Sequence, residues 1–391
     1  MIRLLSGVRV IELGNFISGP YAGQLLAELG AEVIKVERPD GGDPFRGFSG
    51  DVLSPQFCAY NRGKRSVTTD INKPEGREAL LRLVERSDVL LENFRPGVLD
   101  RAGLGWEVLR ARNPRLIYCT ISGFGPDGPY TDRPAFDTVA QSMSGFFSQL
   151  LDPERPRITG PAMADAISGL YAALGIAAAL AGRAKDGQGH RLDLAMVEAM
   201  AAFATEPYSG FFARGRAPAP HDRAAASQSF ALRCADGKII GLHLSSPPKF
   251  WDSLLVAIER PDLGSDSRFA NRAGRVANYQ ALCEALGEVF ITRPRGEWEE
   301  RLQRQDVPHA PVYTFPEVLE DPQIAHLGTF YTHEHPRPGA SRAVHGPWWC
   351  DRSREQPDLP PPTLGEHTEE QLRLSDLTEE DIAKLRAARA I

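Results

Sequence analysis

Asp165 is the residue whose type and setting most invite chemistry. It stands among small neighbours in Arg157-Ile158-Thr159-Gly160-Pro161-Ala162-Met163-Ala164-Asp165-Ala166, at the start of an Ala/Leu/Gly stretch that runs to Leu180 and reads as a buried helix. Aspartate is a poor interior helix former and is rarely buried without a partner. Two accounts fit: the carboxylate caps free N–H groups at a helix start, or it is a desolvated nucleophile. The segment by itself favours the cap. Asp137, in Arg133-Pro134-Ala135-Phe136-Asp137-Thr138, is a second acidic point just before a helix start, and there too the simple reading is an N-cap.

Other chemistries are poorly supplied. No Gly-x-Ser-x-Gly elbow occurs, so a serine hydrolase lacks its nucleophile. No His/Asp/Glu cluster has metal-ligand spacing, and His333-x-His335 lies in a Pro-rich stretch expected to be solvated. The turn after the first strand, Gly14-Asn15-Phe16-Ile17-Ser18-Gly19-Pro20, is not a dinucleotide fingerprint, and Pro20 lacks an N–H that a pyrophosphate would want. Cations suited to phosphates do occur. Arg38 follows the second strand, Arg62, Lys64 and Arg65 cluster in one turn, and Asn93-Phe94-Arg95 directly follows a buried strand, with Arg101 further on. Cations and an aromatic at strand ends suit a nucleotide bearing several phosphates.

The elements that must position these groups read as α/β. Val8–Leu13 and Ala31–Glu37 are strands around a helix from Tyr21 to Leu29, with Gly30 as its stop. Pro74 to Glu85 is a helix with proline in its first turn, and Asp88–Glu92 and Leu116–Ile121 are further buried strands. This alternation predicts a Rossmann-like large domain with parallel strands. A helix is expected from Asp193 to Met200. Residues 230–234 and 238–244 form a strand, turn and strand, followed by helices around 249–259, 279–290 and 296–305, as in a smaller α+β domain. The predicted organisation is a large α/β portion at 1–210, a linker at 211–228, a small α+β domain at 229–315, and a linker with a C-terminal return at 316–391.

The bulk numbers bound the class. The chain has 391 residues, 42% of them hydrophobic and 25% charged, an ordinary globular mixture. A net charge of −6 gives no reason to expect nucleic acid. Five cysteines without a Cys-x-x-Cys pair suggest neither zinc nor disulfides, and point to a reducing, cytoplasmic setting. The N-terminus lacks the apolar core of a signal peptide, and the stretch from Gly169 to Ala181 is shorter than the ~20 residues a membrane span needs.

Taken together, the motifs resemble the class III coenzyme A transferases, a family that includes formyl-CoA transferase, carnitine CoA-transferase and α-methylacyl-CoA racemase. The resemblance covers nearly the whole chain. It is carried by residues 5–13, Ser18-Gly19-Pro20, residues 29–37, Asn61-Arg62-Gly63-Lys64-Arg65-Ser66, Glu92-Asn93-Phe94-Arg95-Pro96-Gly97 and Ser122-Gly123-Phe124-Gly125. Asp266-Ser267-Arg268-Phe269, Trp298 and residues 307–312 continue it. It implies an interlocked, ring-like homodimer and places Asp165 on the catalytic aspartate, with Asp137 beside it. It also implies that Phe16, Ile17, Ser18, Arg38, Thr69, Asn72, Asn93, Phe94, Arg95 and Arg101 hold coenzyme A. The implied reaction moves CoA from an acyl-CoA thioester to a carboxylic acid through aspartyl anhydride and aspartyl-CoA intermediates, with no resident cofactor and with neither nucleic acid nor membrane as partner. A racemase and a non-catalytic CoA-binding relative are the alternatives. The racemases carry His where Phe136 stands and Glu where Pro247 stands; neither residue here can move a proton. Ile17 replaces a glutamine of formyl-CoA transferase, and no glycine run occurs near 242–246, which argues against oxalate and formate as substrates.

Overall fold

The computed structural model describes residues 4–50, 53–152, 154–332, 342–354 and 360–391. The chain divides into two compact units. The larger holds residues 1–147, 157–209 and 328–391, and the smaller holds 148–156 and 210–327.

The larger unit is built on six parallel strands: β1 (Arg9–Glu12), β2 (Glu32–Glu37), β3 (Lys64–Thr68), β4 (Val89–Glu92), β5 (Ile117–Ser122) and β6 (Arg191–Ala195). Their order across the sheet is β3-β2-β1-β4-β5-β6. The register sets Ile11 of β1 against Ile34 of β2 on one side and Leu90 of β4 on the other. Strands covered on both faces carry continuous apolar runs, and all four residues of β4, Val89-Leu90-Leu91-Glu92, are buried. Helices α1 (Ser18–Glu28), α2 (Pro74–Glu85), α3 (Asp137–Met143), α4 (Met163–Asp186) and α5 (Met196–Phe203) follow the strands. α1, α4 and α5 cover one face of the sheet through Leu26, Ile176 and Met200. α2 and the C-terminal segment cover the other through Leu80, Leu83 and Ile382.

β1, β2, β4 and β5 lie within a residue or two of the strands expected from the sequence, and α2 spans the expected residues. β3, whose cationic residues look like a ligand-binding turn, and β6 are not among the expected strands. Arg191 to Ala195 is a strand, so the expected helix from Asp193 begins only at Met196. The pairing of β6 with β5 is the tertiary contact that overrides local helix preference there.

α4 is longer than expected, at 24 residues, and by length and composition it could cross a membrane. Its buried residues pack into the core beside β5 and α1, as in the core helix of an α/β unit. Gly169 permits a close approach to α1, because a Cβ there would sit 2.9 Å from the Ser18 carbonyl oxygen. The helix is not buried all round: Leu170 and Leu174 are 46% and 65% exposed.

In the smaller unit, β7 (Ser229–Arg233), β8 (Ile239–His243) and β9 (His309–Pro311) form an antiparallel sheet in that order. α6 (Pro248–Ala257), α7 (Tyr279–Phe290) and α8 (Arg295–Arg304) enclose its core around Trp251, Phe290 and Trp298. The stretch read as an aperiodic linker contains helical residues, since Asp222–Ser227 is a short helix and Thr205–Arg214 another. The C-terminal return ends in α9 (Thr368–Leu374) and α10 (Glu379–Ala387), the latter started by a Thr378/Asp381 capping box.

Candidate active site

The strand order reverses between β1 and β4, and in open α/β sheets ligands bind outside the carboxyl ends of the strands at such a switch point. Two turns leave the sheet there, Gly14 to Pro20 after β1 and Asn93 to Gly97 after β4. The side chain of Asn93 ties them together. Its Oδ1 accepts from the Asn15 N–H at 2.8 Å, and its Nδ2 donates to the Asn15 carbonyl at 2.8 Å and to Ser18 Oγ at 3.0 Å. Glu92, at the end of β4, pins the second turn by accepting from the Phe94 N–H at 2.6 Å and from the Tyr118 hydroxyl at 3.1 Å. Burial pushes the Glu92 carboxyl up to about 7.

The first turn rests on a buried ionic floor that the sequence reading does not anticipate. Lys35 pairs with Glu12 at 3.0 Å and Asp43 at 2.9 Å, and donates to the Gly14 carbonyl at 2.7 Å. Lys64 pairs with the other Glu12 oxygen at 2.7 Å and donates to the Pro20 carbonyl at 2.7 Å. Asp43 Oδ1 accepts from the Phe16 N–H at 3.2 Å. Phe16 is thereby held with φ at +62°, a left-handed conformation that a bulky residue rarely adopts. Its ring meets Phe45 and Phe136 edge-on, at 5.2 Å and 6.1 Å between centroids.

Between these turns and the start of α4 lies a cleft of about 250 Å³, lined among others by Phe16, Ser18, Asn93, Phe94, Arg95 and Asp165. Asp165 is the third residue of α4 and does not cap it, so the cap reading fails at that residue. The cap is supplied from α3: Asp137 Oδ1 accepts from the N–H groups of Ala164 at 2.8 Å and Asp165 at 3.3 Å. Asp137 in turn does not cap its own helix, where Phe136 holds the cap position. Its other oxygen accepts from Gln141 Nε2 at 2.6 Å. The Asp165 carboxyl is thus left to the cleft, and it forms no ion pair among the described residues. Burial, and then the neighbouring Asp137 charge, push it up to about 7. Tyr60 lies near both aspartates, whose charges add to burial in pushing its phenol up. That residue goes unnoticed in the sequence because its contacts are tertiary, although it directly precedes the Asn61-Arg62-Gly63 motif.

The remaining residues scatter along the same sheet edge. Ile17 packs behind the cleft against Phe45 and Phe57. Arg38 is exposed just past β2, and Arg101 is exposed at the end of a short helix, beside Gly97. Thr69 is buried past β3 and donates to the Gly76 carbonyl at 3.2 Å; Asn72 is exposed in the next turn. None of these four borders the Asp165 cleft. The cluster of Arg62, Lys64 and Arg65 is not an anion site. Lys64 is committed to the floor, Arg62 to Glu28, and Arg65 to Glu32 and Glu370. His333 and His335 lie outside the described residues. No group of His, Cys, Asp and Glu able to hold a metal occurs among the described residues.

Comparison with known proteins agrees with this geometry. Residues 5–368 match the model of CoA-transferase family III. The chain is 34% identical to succinate–glutarate CoA-transferase of Agrobacterium fabrum over 93% of each chain. It is also 34% identical to formyl-CoA:oxalate CoA-transferase of Rhodopseudomonas palustris, over 95% of this chain and 93% of the relative. The solved structure of a CAIB/BAIF family protein from Brucella suis superposes with a TM-score of 0.84 at 34% identity, covering 95% of this chain and 99% of that one. The chain belongs to CoA-transferase family III and is an acyl-CoA:carboxylate CoA-transferase.

Proposed function

We propose that Asp165 is the nucleophile of this transfer. One Asp165 oxygen attacks the acyl carbon of the donor thioester, the C–S bond breaks, and CoA leaves as thiolate. The thiolate attacks the aspartyl carbonyl of the mixed anhydride and expels the donor carboxylate, leaving an aspartyl-CoA thioester. An acceptor carboxylate oxygen attacks that thioester and expels the thiolate again. The thiolate then attacks the acceptor's acyl carbon, releasing acyl-CoA and restoring the Asp165 carboxylate. One thioester is exchanged for another, so neither ATP nor a resident cofactor is needed. A carboxylate suits the role because its anhydride and thioester both remain reactive, whereas an amine would trap the acyl group.

The observation that carries the proposal is the division of labour between the two aspartates. Asp137 takes the helix cap, so it is a positioning residue, and Asp165 keeps both oxygens for the cleft. Phe16, Ser18, Asn93, Phe94 and Arg95 border that cleft and hold the thiol end of CoA in this reading, with Ile17 behind them. Arg38, Thr69, Asn72 and Arg101, along the same sheet edge, serve the nucleotide end. Phe136 borders the cleft where a racemase would need a proton-transfer group, which favours transfer. Exposed Leu170, Leu174 and Phe203 form apolar surface that a second copy of the chain would cover, in keeping with a homodimer. A cytoplasmic setting, where acyl-CoA is available, completes the reading.

Trapping tests it. Enzyme incubated with acyl-CoA and treated with hydroxylamine or borohydride should carry a modification at Asp165 by peptide mass spectrometry. An unmodified Asp165 under turnover would remove the covalent route.

A further inference from the structure

We propose that Gln141 is a positioning residue of the transfer, clamping the Asp137 side chain that fixes the start of α4; this rests on the reading of Asp165 given above. Gln141 lies one helical turn after Asp137 on α3 and is 1% exposed. Its Nε2 donates to Asp137 Oδ2 at 2.6 Å. Asp137 Oδ1 meanwhile accepts from the N–H groups of Ala164 and Asp165, at 2.8 Å and 3.3 Å. The carboxylate is therefore gripped at both oxygens, by its own helix on one side and by α4 on the other. The terminal torsion of an aspartate is soft. Held at one oxygen alone, Asp137 could swing off the N–H groups it caps.

A Gln–Asp pair four residues apart on an exposed helix face is common and adds little. Gln141 departs from that case in two ways. It is buried, on a helix that packs against α4 and α5, with the neighbouring Ala140 in the core beside Ala164 and Met200. Its Oε1 is also buried, with no hydrogen-bond partner among the described residues. A buried acceptor without a partner is costly to the fold, and an apolar side chain of similar length would avoid that cost. What an apolar residue could not supply is the donor to Asp137.

The chemistry explains why the grip matters. Asp165 must displace a thiolate, which is more basic than an ordinary carboxylate. Burial, and then the Asp137 charge, raise the Asp165 carboxyl. That narrows the gap to the thiolate and makes Asp165 a stronger nucleophile. The Asp137 charge acts in this way only while it is held beside Asp165. The other titratable and charged groups around Asp165 are Tyr60, from the segment before β3, and Arg95 and Arg133 along the cleft. Neither arginine pairs with Asp165 among the described residues.

Kinetics of Gln141→Met and Gln141→Leu, alone and combined with Asp137→Ala, test the assignment. Each single variant should lower kcat about tenfold, as a small misplacement of a reacting group does, with the KM for acyl-CoA unchanged. The acid limb of kcat/KM should move to lower pH, because the Asp137 charge is no longer held in place. In the Asp137→Ala background neither change should lower kcat further, since nothing is left to grip. Wild-type kcat in both single variants, an unmoved acid limb, or the same tenfold fall in the Asp137→Ala background would each overturn the assignment. A merely structural glutamine would give that last result. Failure of the Asp165 reading looks different, since exchange would then survive Asp165→Ala.

Discussion

The floor beneath the Gly14–Pro20 turn and the mouth of α4 both hold buried carboxylates, and they treat them in opposite ways. Under the turn, Glu12 and Asp43 are matched by Lys35 and Lys64, and the group holds the turn's own backbone at Gly14, Phe16 and Pro20. At the mouth of α4, Asp137 and Asp165 lie close together and neither forms an ion pair among the described residues, and the charge of Asp137 helps to push the Asp165 carboxyl up. Neutralised buried charges fix geometry, because moving any of them exposes the rest. An un-neutralised carboxylate is costly to the fold, and a retained cost of that kind marks a functional site.

The comparison breaks first at Asp165. Asp165→Ala should reduce CoA exchange by on the order of 10³-fold or more, as loss of a nucleophile does, in an assay following acyl-CoA interconversion by mass spectrometry. The fold should tolerate the change well. The folded-state carboxyl is raised to about 7 from an ordinary 3.8. The native state therefore holds a proton that the unfolded chain has released across that window, and stability falls as pH rises through it. Asp165→Asn, which mimics the protonated form, should be more stable than wild type at pH 8 and should lose that advantage toward pH 4. Equal stability at pH 8 would mean that the carboxyl is not strained by burial.

The floor should behave in the reverse sense. Lys35→Met leaves Glu12 and Asp43 short of a cation and should cost about 3–5 kcal/mol in urea unfolding. If the cost is small, these charges are not what fixes the turn. Between the two regions lies Asn93. Asn93→Ala removes three hydrogen bonds that join the turns, with an expected loss of about 1–3 kcal/mol and a rise in the KM for acyl-CoA. A stability loss without a change in KM would make Asn93 structural only.

The same contrast explains what the sequence disclosed. Strand and helix runs such as Val89-Leu90-Leu91-Glu92 and Pro74–Glu85 carry local periodicity, and they are legible. Asp165 is legible as an oddity, since a lone acid opening an apolar helix has few explanations. What decides between those explanations is not local. The residue that caps α4 stands 26 positions before its first helical residue, on another helix. Lys64 and Arg62 look like phosphate ligands because their carboxylate partners, Glu12 and Glu28, lie far back in the chain. Ion pairing across a sheet leaves no spacing signal, so a floor reads as a surface. Phe16 is equally opaque: nothing in Gly14-Asn15-Phe16-Ile17 announces a left-handed phenylalanine, which arises from Asp43 holding its N–H and Asn93 holding the adjacent Asn15.

The finest test separates the two duties of Asp137. Its charge raises the Asp165 carboxyl, and its oxygen caps α4. Asparagine keeps an oxygen at the cap and removes the charge, so Asp137→Asn should retain the start of α4 while letting Asp165 ionise at lower pH. In the wild type, kcat/KM for acyl-CoA should fall tenfold per pH unit once pH drops below about 7, as the nucleophile becomes protonated. In Asp137→Asn that acid limb should move to lower pH. The move should be partial, because burial is the larger cause and is left in place. Alanine at the same position removes cap and charge together, and it should add a stability loss of about 1 kcal/mol. An acid limb unmoved by Asp137→Asn would show that the two carboxylates do not sense each other, and the mouth of α4 would then differ from the floor by burial alone.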